Sequence, residues 1–359
     1  MAFLDATDWL DIQSTNATNE KRFSQLGIVD AVKDSTPATE QYLMPSDVEK
    51  LRTLSSLRDV QLPVIKDQTV TVTTTPGFSF IPNNLPESAQ YTFTAVDVFS
   101  GFRHYPGQFA NNAMDAEMVK REVMKNIAYA MGNEVETQLT TVLEARKTQA
   151  LSYTTQVSQG DGTYSFNAGT DTLEINKAAQ KETMFFNLEH LMAANELPGN
   201  YRVVTNRAGL SVQKAEQLKY QMNNTKDLAA LGMYPTNQMY ESGNIAAGSD
   251  IFNGYLLRDG AIGIIENFPF DFRNGTSFAG KTWSITDVEL PFARMRANIY
   301  VNNEATNATA LVGAGTDSNM IMTHFSEMAI WLRFYIVYRY NSAIATRAND
   351  IVKIKGLTT

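Results

Sequence analysis

The spacing of hydrophobic positions changes several times along the chain, and each change marks an element. Ala116, Val119, Val123, Ile127, Met131, Val135, Leu139 and Val142 fall three or four residues apart, which predicts one continuous amphipathic helix. Asn112 stands where an N-cap belongs. Asp115 and Glu117 follow in the first turns and Arg146 and Lys147 close the last, the charge order the helix dipole favours. About 35 residues rising roughly 1.5 Å each make a rod of about 50 Å. Gly132 costs such a helix about 1 kcal/mol relative to alanine, so a bend or a close approach is expected there.

Elsewhere the period is two. In EMAIWLRFYIVYRYN, Met328, Ile330, Leu332, Phe334, Ile336, Tyr338 and Tyr340 share one face, and Arg333 and Arg339 lie on the other. That is a strand of about 40 Å, and Arg333 at its middle excludes a membrane helix. Val70 and Val72 alternate with threonines, and Tyr91, Phe93 and Ala95 alternate with Thr92, Thr94 and Val96. Between these runs Pro76, Pro82 and Pro86 prevent regular pairing. The pattern predicts a hairpin arm over Thr69–Val98 with Phe78, Phe80 and Leu85 near its tip. Both faces are too mixed for a core, and an isolated ribbon is marginal in water, so the arm is expected to find its cover on another copy of the chain.

Shorter signals fill in the rest. SDVE at Ser46–Glu49 has capping-box spacing before Val48, Leu51, Leu54 and Leu57, and VQLPVI reads as a strand whose Pro63 suits an edge. YTTQVSQGDGTYSFN reads as strand, turn, strand. DTLEINKAAQKETMFFNLEHLMAANE reads as helix, and NYRVVTNRAGLSVQ as a strand entering a helix. FNGYLLRDGAIGIIENFPF reads as a hairpin turning at Asp259-Gly260, and ANDIVKIKGLTT as a last short strand. No internal repeat is present.

Composition narrows the function. The 359 residues are 43% hydrophobic and 19% charged, as in folded proteins, and no apolar run approaches the roughly 18 residues that span a bilayer. MAFLDATDWLDI carries three aspartates and no basic residue, unlike a secretory signal. A formal charge of −8 argues against a protein that lives by gripping phosphate backbones. With no cysteine, disulfides and thiolate chemistry are excluded.

One motif is formally good. GTSFAGKT at Gly275–Thr282 fits the phosphate-loop pattern, whose chemistry needs a helix starting at the lysine. The continuation WSITDVELP is β-branched and soon meets Pro291, so a polar hairpin is expected instead. His104, His190 and His324 are far apart and form no metal motif, no G-x-S-x-G elbow is present, and Gly313–Gly315 lacks a dinucleotide fingerprint. Glu134 and Glu136 are two apart on the long helix, which points them to different faces and suits solvation. Lys66 beside the arm and Arg103 just after it are candidates for meeting carboxylates of another copy. Catalytic, metal and cofactor residues are therefore assigned to none.

The order of parts carries more than any motif. LPVIKDQTVTVTTT and YTFTAVDVFS resemble the two sides of the extended loop of tailed-bacteriophage major capsid proteins of the Hong-Kong-97 type. AMDAEMVKREVMKNIAYAMGNEVETQLTTVLEAR resembles their spine helix, NYRVVTNRAGL the entry to their axial domain, and AIWLRFYIVYRYNSAIATRANDIVKIKG the closing strands of their peripheral domain. The resemblance implies an α+β fold divided into an N-terminal arm (1–60), an extended loop (61–110), a peripheral domain with the spine helix (111–200), an axial domain (201–325) and returning peripheral strands (326–359). It implies a non-enzymatic subunit of the virion, assembled in the host cytoplasm into hexamers and pentamers. Such a shell encloses double-stranded DNA without sequence-specific binding, with scaffolding, portal or decoration proteins as partners and no cofactor or membrane. Lys66, Phe78, Phe80, Leu85 and Arg103 would then be subunit contacts. An encapsulin-like nanocompartment shares the fold, a tail-tube or baseplate protein also uses long hairpins, and a nucleotide-binding protein is the enzyme-class alternative.

Overall fold

The computed structural model describes residues 26–35, 43–53, 59–65, 88–104, 113–154, 163–181, 184–212, 238–246, 248–267, 277–278, 281–282, 284–290, 294–310, 320–339 and 347–358. The long helix, α3 (Ala113–Arg146), has the predicted extent at 34 residues. Its core contacts begin at Val123 and Met124 and continue through Ala128, Met131, Val135, Leu139 and Leu143. The stripe expected to start earlier does not: Val119 is 45% exposed and Met118 68%. At Gly132 the expected close approach is present, since a Cβ there would stand 2.8 Å from Leu26 Cδ1.

One sheet lies beneath α3. Its order is β12 (Ser284–Leu290), β13 (Met295–Ala310), β14 (Met320–Tyr338) and β3 (Val96–His104), all antiparallel, and β9 (Ile262–Glu266) pairs with β14 beyond the end of β3. β14 runs for 19 residues, so it is longer than its sequence pattern suggested. Its alternation is as expected: Met328, Ile330, Leu332, Phe334 and Ile336 enter the core shared with α3.

The second sheet has the order β4 (Tyr164–Asn167), β5 (Thr172–Ile175), β15 (Ile351–Gly356), β8 (Phe252–Arg258), β6 (Tyr201–Thr205) and β7 (Gln238–Glu241). On one face Val203, Leu256, Val352 and Ile354 pack with Leu188, Leu191 and Met192 of α4 (Met184–Ala194). On the other, Val204, Tyr255, Leu257 and Ile351 join the core of α3. The end of α3 is fixed to this sheet through Asn349, whose Nδ2 donates to Arg146 O at 3.0 Å, and through Glu144, which accepts from Lys353 at 2.9 Å and Tyr255 at 2.6 Å. α3 thus ties the two sheets into one body. No helix among the described residues is long and apolar enough to cross a membrane.

Three expectations need correction. The Asp259-Gly260 turn exists, with Gly260 at φ +80°, but β8 and β9 do not pair with each other. β8 joins the second sheet and β9 the first. Each is apolar enough on both sides to be buried in its own sheet, and a local turn signal says nothing about where the hydrogen bonds of the flanking strands go. The start of DTLEINKAAQ is the strand β5, paired with β4 across the NAGTD turn, because Thr172, Leu173 and Ile175 fit a buried strand better than a helix start. The helix α2 (Pro45–Thr53) begins at Pro45, so Ser46 lies inside its first turn rather than at its cap. Strand pairing also crosses the segment boundaries at 200 and 325: β4 and β5 sit with β6 and β8, and β12 and β13 sit with β14.

Candidate assembly interface

The arm is built on the ribbon of β1 (Asp59–Ile65) and β2 (Ser88–Thr94), whose register runs from Asp59↔Thr94 to Ile65↔Ser88. The expectation that the arm lacks a core fails at this base. Val60, Leu62 and Val64 share a face with Phe93 and Ala95, and that face is buried against Leu43, Leu51, Ile265, Tyr335 and Val337. Tyr335 and Val337 supply the missing cover from the back of β14, the face opposite the one that packs on α3. Tyr91 adds an edge-on contact with Tyr338 at 6.4 Å. Lys66, Phe78, Phe80 and Leu85 lie outside the described residues.

Only Ala95 separates β2 from β3, so Ser88 to His104 forms one nearly continuous strand track. β3 pairs with β14 from Val96↔Phe334 to His104↔Ser326. Its inward residues Val98 and Phe102 meet the core of α3, while Asp97, Phe99, Gly101 and Arg103 face outward. Asp97 accepts two hydrogen bonds from Arg333, at 2.6 and 3.1 Å, and one from Trp331 Nε1 at 3.0 Å. Next along the strand Phe99 stands 68% exposed, directly opposite Trp331 in register, and Trp331 lies 6.3 Å from the ring of Tyr300. An aromatic row therefore crosses the outer face of the sheet.

Beside Phe99 opens a shallow trough of about 560 Å³, lined by Gly101, Arg103, Glu327, Met328 and Ala329. Its floor depends on Gly101, where a Cβ would come within 2.6 Å of Met328 O. Arg103 stands at the rim and pairs within its own chain, with Nε 2.8 Å from Glu327 Oε1; the carboxylate is 8% exposed and the guanidinium side chain 56%. An exposed aromatic beside an Arg-lined depression has the composition of an interface centre rather than of ordinary surface. Phe99 was legible as a large aromatic on the polar face of an alternating strand, but the arm tip drew the sequence reading away from it.

A second concave surface is chemically quiet. An open groove of about 630 Å³ runs along α3 past Thr137, Thr140, Thr141, Glu144, Asn244 and Tyr255. Its hydroxyls are already engaged: Thr137, Thr140 and Thr141 donate to the carbonyls of Asn133, Glu136 and Thr137 at 2.9, 2.8 and 3.0 Å. Glu144 is raised by desolvation, but hydrogen bonds from Lys147, Tyr255 and Lys353 outweigh that and hold its carboxyl down at about 2. Such a group is a poor proton donor or acceptor near neutrality. A depressed carboxylate adds stability above its unfolded value of 4.5 that is lost as pH falls through about 2. Glu144→Gln is accordingly expected to flatten the fall in Tm between those limits. At 43% exposure the effect is at most about 1 kcal/mol, and thermal unfolding across that range checks it.

The phosphate-loop match is a hairpin. Ser277–Phe278 and Lys281–Thr282, here β10 and β11, pair antiparallel as Ser277↔Thr282 and Phe278↔Lys281, and the strand β12 follows at Ser284 instead of a helix. Among the described residues no three His, Asp or Glu side chains converge as a metal site requires.

Sequence reasoning also misjudged Glu136. Glu134 is exposed, but Glu136 is completely buried and accepts the backbone N–H of both Ile28 and Val29 at 3.0 Å. These are the second and third amides of α1 (Gly27–Asp34), a helix with no side-chain cap of its own.

No family model matches the sequence, and no curated protein does. Among solved structures the chain is similar to one titled "Capsid structure of the Cyanophage P-SCSP1u", at 12% identity and a TM-score of 0.45 over 86% of each chain. It is also similar to one titled "Cyanophage Pam1 capsid asymmetric unit", at 8% identity and 0.47 over 87% of each. A structure from Mycobacterium phage Adephagia aligns at 12% identity and 0.41, over 87% of this chain and 89% of that one.

Proposed function

We propose that this chain is a structural subunit that builds a closed shell from copies of itself, each seating the tip of its arm on the aromatic row and trough of the next. The observation that carries this reading is the direction of the strand track. The outermost described pair of the ribbon is Ile65↔Ser88, while Phe99, Gly101 and Arg103 lie toward the His104 end of the same track, on the far side of Ala95. On this reading the residues between Ile65 and Ser88 reach away from the body, so donor and acceptor surfaces point in opposite directions along one strand track. A contact of that kind is head-to-tail, and head-to-tail contacts propagate into rings where the rotation closes.

The shell is the Hong-Kong-97-type capsid that the sequence resemblance implies, with hexamers and pentamers enclosing double-stranded DNA in a virion. On this reading the sheet of β12, β13, β14 and β3 with α3 forms the peripheral part, and the six-stranded sheet forms the axial part. Phe78, Phe80 and Leu85 enter the trough, and Lys66 and Arg103 meet carboxylates at its margin. Scaffolding, portal or decoration proteins complete the assembly, and the subunit itself catalyses nothing.

Phe99→Ser tests the acceptor side. Loss of an aromatic anchor at an interface centre costs about 2 kcal/mol or more per contact, so the protein concentration needed for assembly should rise at least about thirtyfold while the subunit keeps its melting temperature. Light scattering across a concentration series, with negative-stain images of the products, reads both. Particles appearing at the wild-type threshold would remove this face from the interface.

A further inference from the structure

Leu26, the first described residue, enters the fold beside the open groove on α3. Its backbone pairs with Ser242 as a single antiparallel bridge, and its side chain packs at Gly132, where a Cβ would stand 2.8 Å from Leu26 Cδ1. Because the bridge is antiparallel, the residues before Leu26 head the way the chain heads after Ser242. Two residues on in that direction stands Asn244, which donates to Asn133 O at 3.3 Å and to Thr137 Oγ1 at 3.2 Å. Asn244 and Thr137 form the head of the groove, which runs on past Thr141 to Ala145. The chain preceding Leu26 is therefore aimed at the mouth of the groove.

The surface of this groove is more apolar than its residue types suggest. Thr137, Thr140 and Thr141 turn their hydroxyls back onto carbonyls of their own helix, which leaves their methyl groups facing outward. Tyr255 spends its hydroxyl on Glu144 at 2.6 Å, and Ala145 adds another methyl. Thr137, Thr141 and Ala145 are exposed. A depression of about 630 Å³ walled in this way has room for an aromatic ring and little to offer a charged group.

We propose that Phe23 of the same chain seats in this groove, so that residues 20–25 cross α3 as a strap ahead of α1. In NATNEKRFSQ, residues 16–25 and outside the described residues, Phe23 is the single large apolar side chain, and Glu20, Lys21 and Arg22 beside it suit water. The three steps from Leu26 back to Phe23 span about 10 Å when extended, at roughly 3.3 Å each. Along α3, Gly132 lies about 8 Å from Thr137 and about 14 Å from Thr141, at roughly 1.5 Å per residue. Phe23 thus reaches between the two threonines. A second copy carries the same ring, but so short a tether gives the chain's own Phe23 an effective concentration on the order of millimolar or above. Another subunit in dilute solution does not match that.

The absence of cysteine from the sequence allows a single thiol to report on the groove. Thr141→Cys is nearly isosteric, and its alkylation by a maleimide reads whether the groove is covered. Glu134→Cys, at an exposed position of the same helix that does not line the groove, is the uncovered reference. In the full-length chain, kept dilute enough to be monomeric, Thr141→Cys should react about tenfold more slowly than Glu134→Cys, the factor that half-burying a phenylalanine supplies. Adding Phe23→Ser should restore the fast rate, Phe23→Leu should keep most of the protection, and neither should alter Glu134→Cys. Equal rates at the two positions, or protection that survives Phe23→Ser, overturn the proposal. Protection that appears only as the protein concentration rises also overturns it, since the ring then comes from another copy.

Discussion

Replacing residues 66–87 with an Asn-Gly turn is expected to give a folded subunit that forms no closed particles. The cut is placed at the last described pair of the ribbon, Ile65↔Ser88, and Asn-Gly is the dipeptide best suited to a two-residue hairpin turn. A wider deletion reaching Gln90 would remove Ser88, Ala89 and Gln90, the partners of Ile65, Val64 and Pro63, and would confuse loss of assembly with loss of fold. With the narrower cut, Val60, Leu62, Val64, Phe93 and Ala95 keep their places against Tyr335 and Val337. Stability should change by no more than about 1 kcal/mol. Assembly should be lost outright, because Phe78, Phe80 and Leu85 all go at once while Phe99→Ser removes a single anchor. Sedimentation velocity at assembly concentrations, paired with urea unfolding, separates the two quantities. Particles of normal size from the shortened chain would show that the arm is dispensable.

Gly27→Ala should cause the largest loss of stability from a single methyl group, about 3 kcal/mol. The added Cβ would stand 2.3 Å from Glu241 O, 2.6 Å from Glu241 C and 2.9 Å from Glu241 N. All three atoms are backbone and cannot rotate aside, so α1 must lift. Lifting it exposes Ile28, Val29, Ala31 and Val32, which are buried in the shared core, and strips Glu136 of both its amide donors. Gly169→Ala is the control, since its nearest neighbour is the Asn167 side chain at 3.3 Å in an exposed turn. Urea denaturation of both variants gives the comparison; a Gly27 variant within about 0.5 kcal/mol of wild type would mean that α1 does not dock as described.

What the sequence disclosed and what it hid divide along the reach of the interactions. α3 was readable because its stripe and terminal charges are local, and so were the faces of β14. The entry from β6 into a helix was readable too, with Asn206 accepting the Gly209 amide at 3.1 Å as a local cap. The ribbon base was misread because neither of its strands is rich enough alone. Its core appears only when Tyr335 and Val337 arrive from a strand more than two hundred residues away, on the face that a period-two reading had assigned to the less apolar side. Glu136 was misread for the same reason, since its burial is decided by α1 and Ser242 rather than by its helical neighbours. The separate destinations of β8 and β9 belong to this class as well. For the candidate interface, Arg103 was named from its position after the arm, whereas Phe99, the more informative residue, needed the pairing with Trp331 to show that nothing in its own subunit covers it among the described residues.

The continuity of β2 and β3 has a mechanical consequence. A pull on the arm travels along β2 into β3, parallel to the strands and at right angles to the hydrogen bonds that join β3 to β14. Those rungs span nine residues of β3, and in shear they share the force and must rupture together. Peeling from the His104 end would break them one at a time. A subunit tugged by its neighbour along this axis should resist far more strongly than one pried sideways.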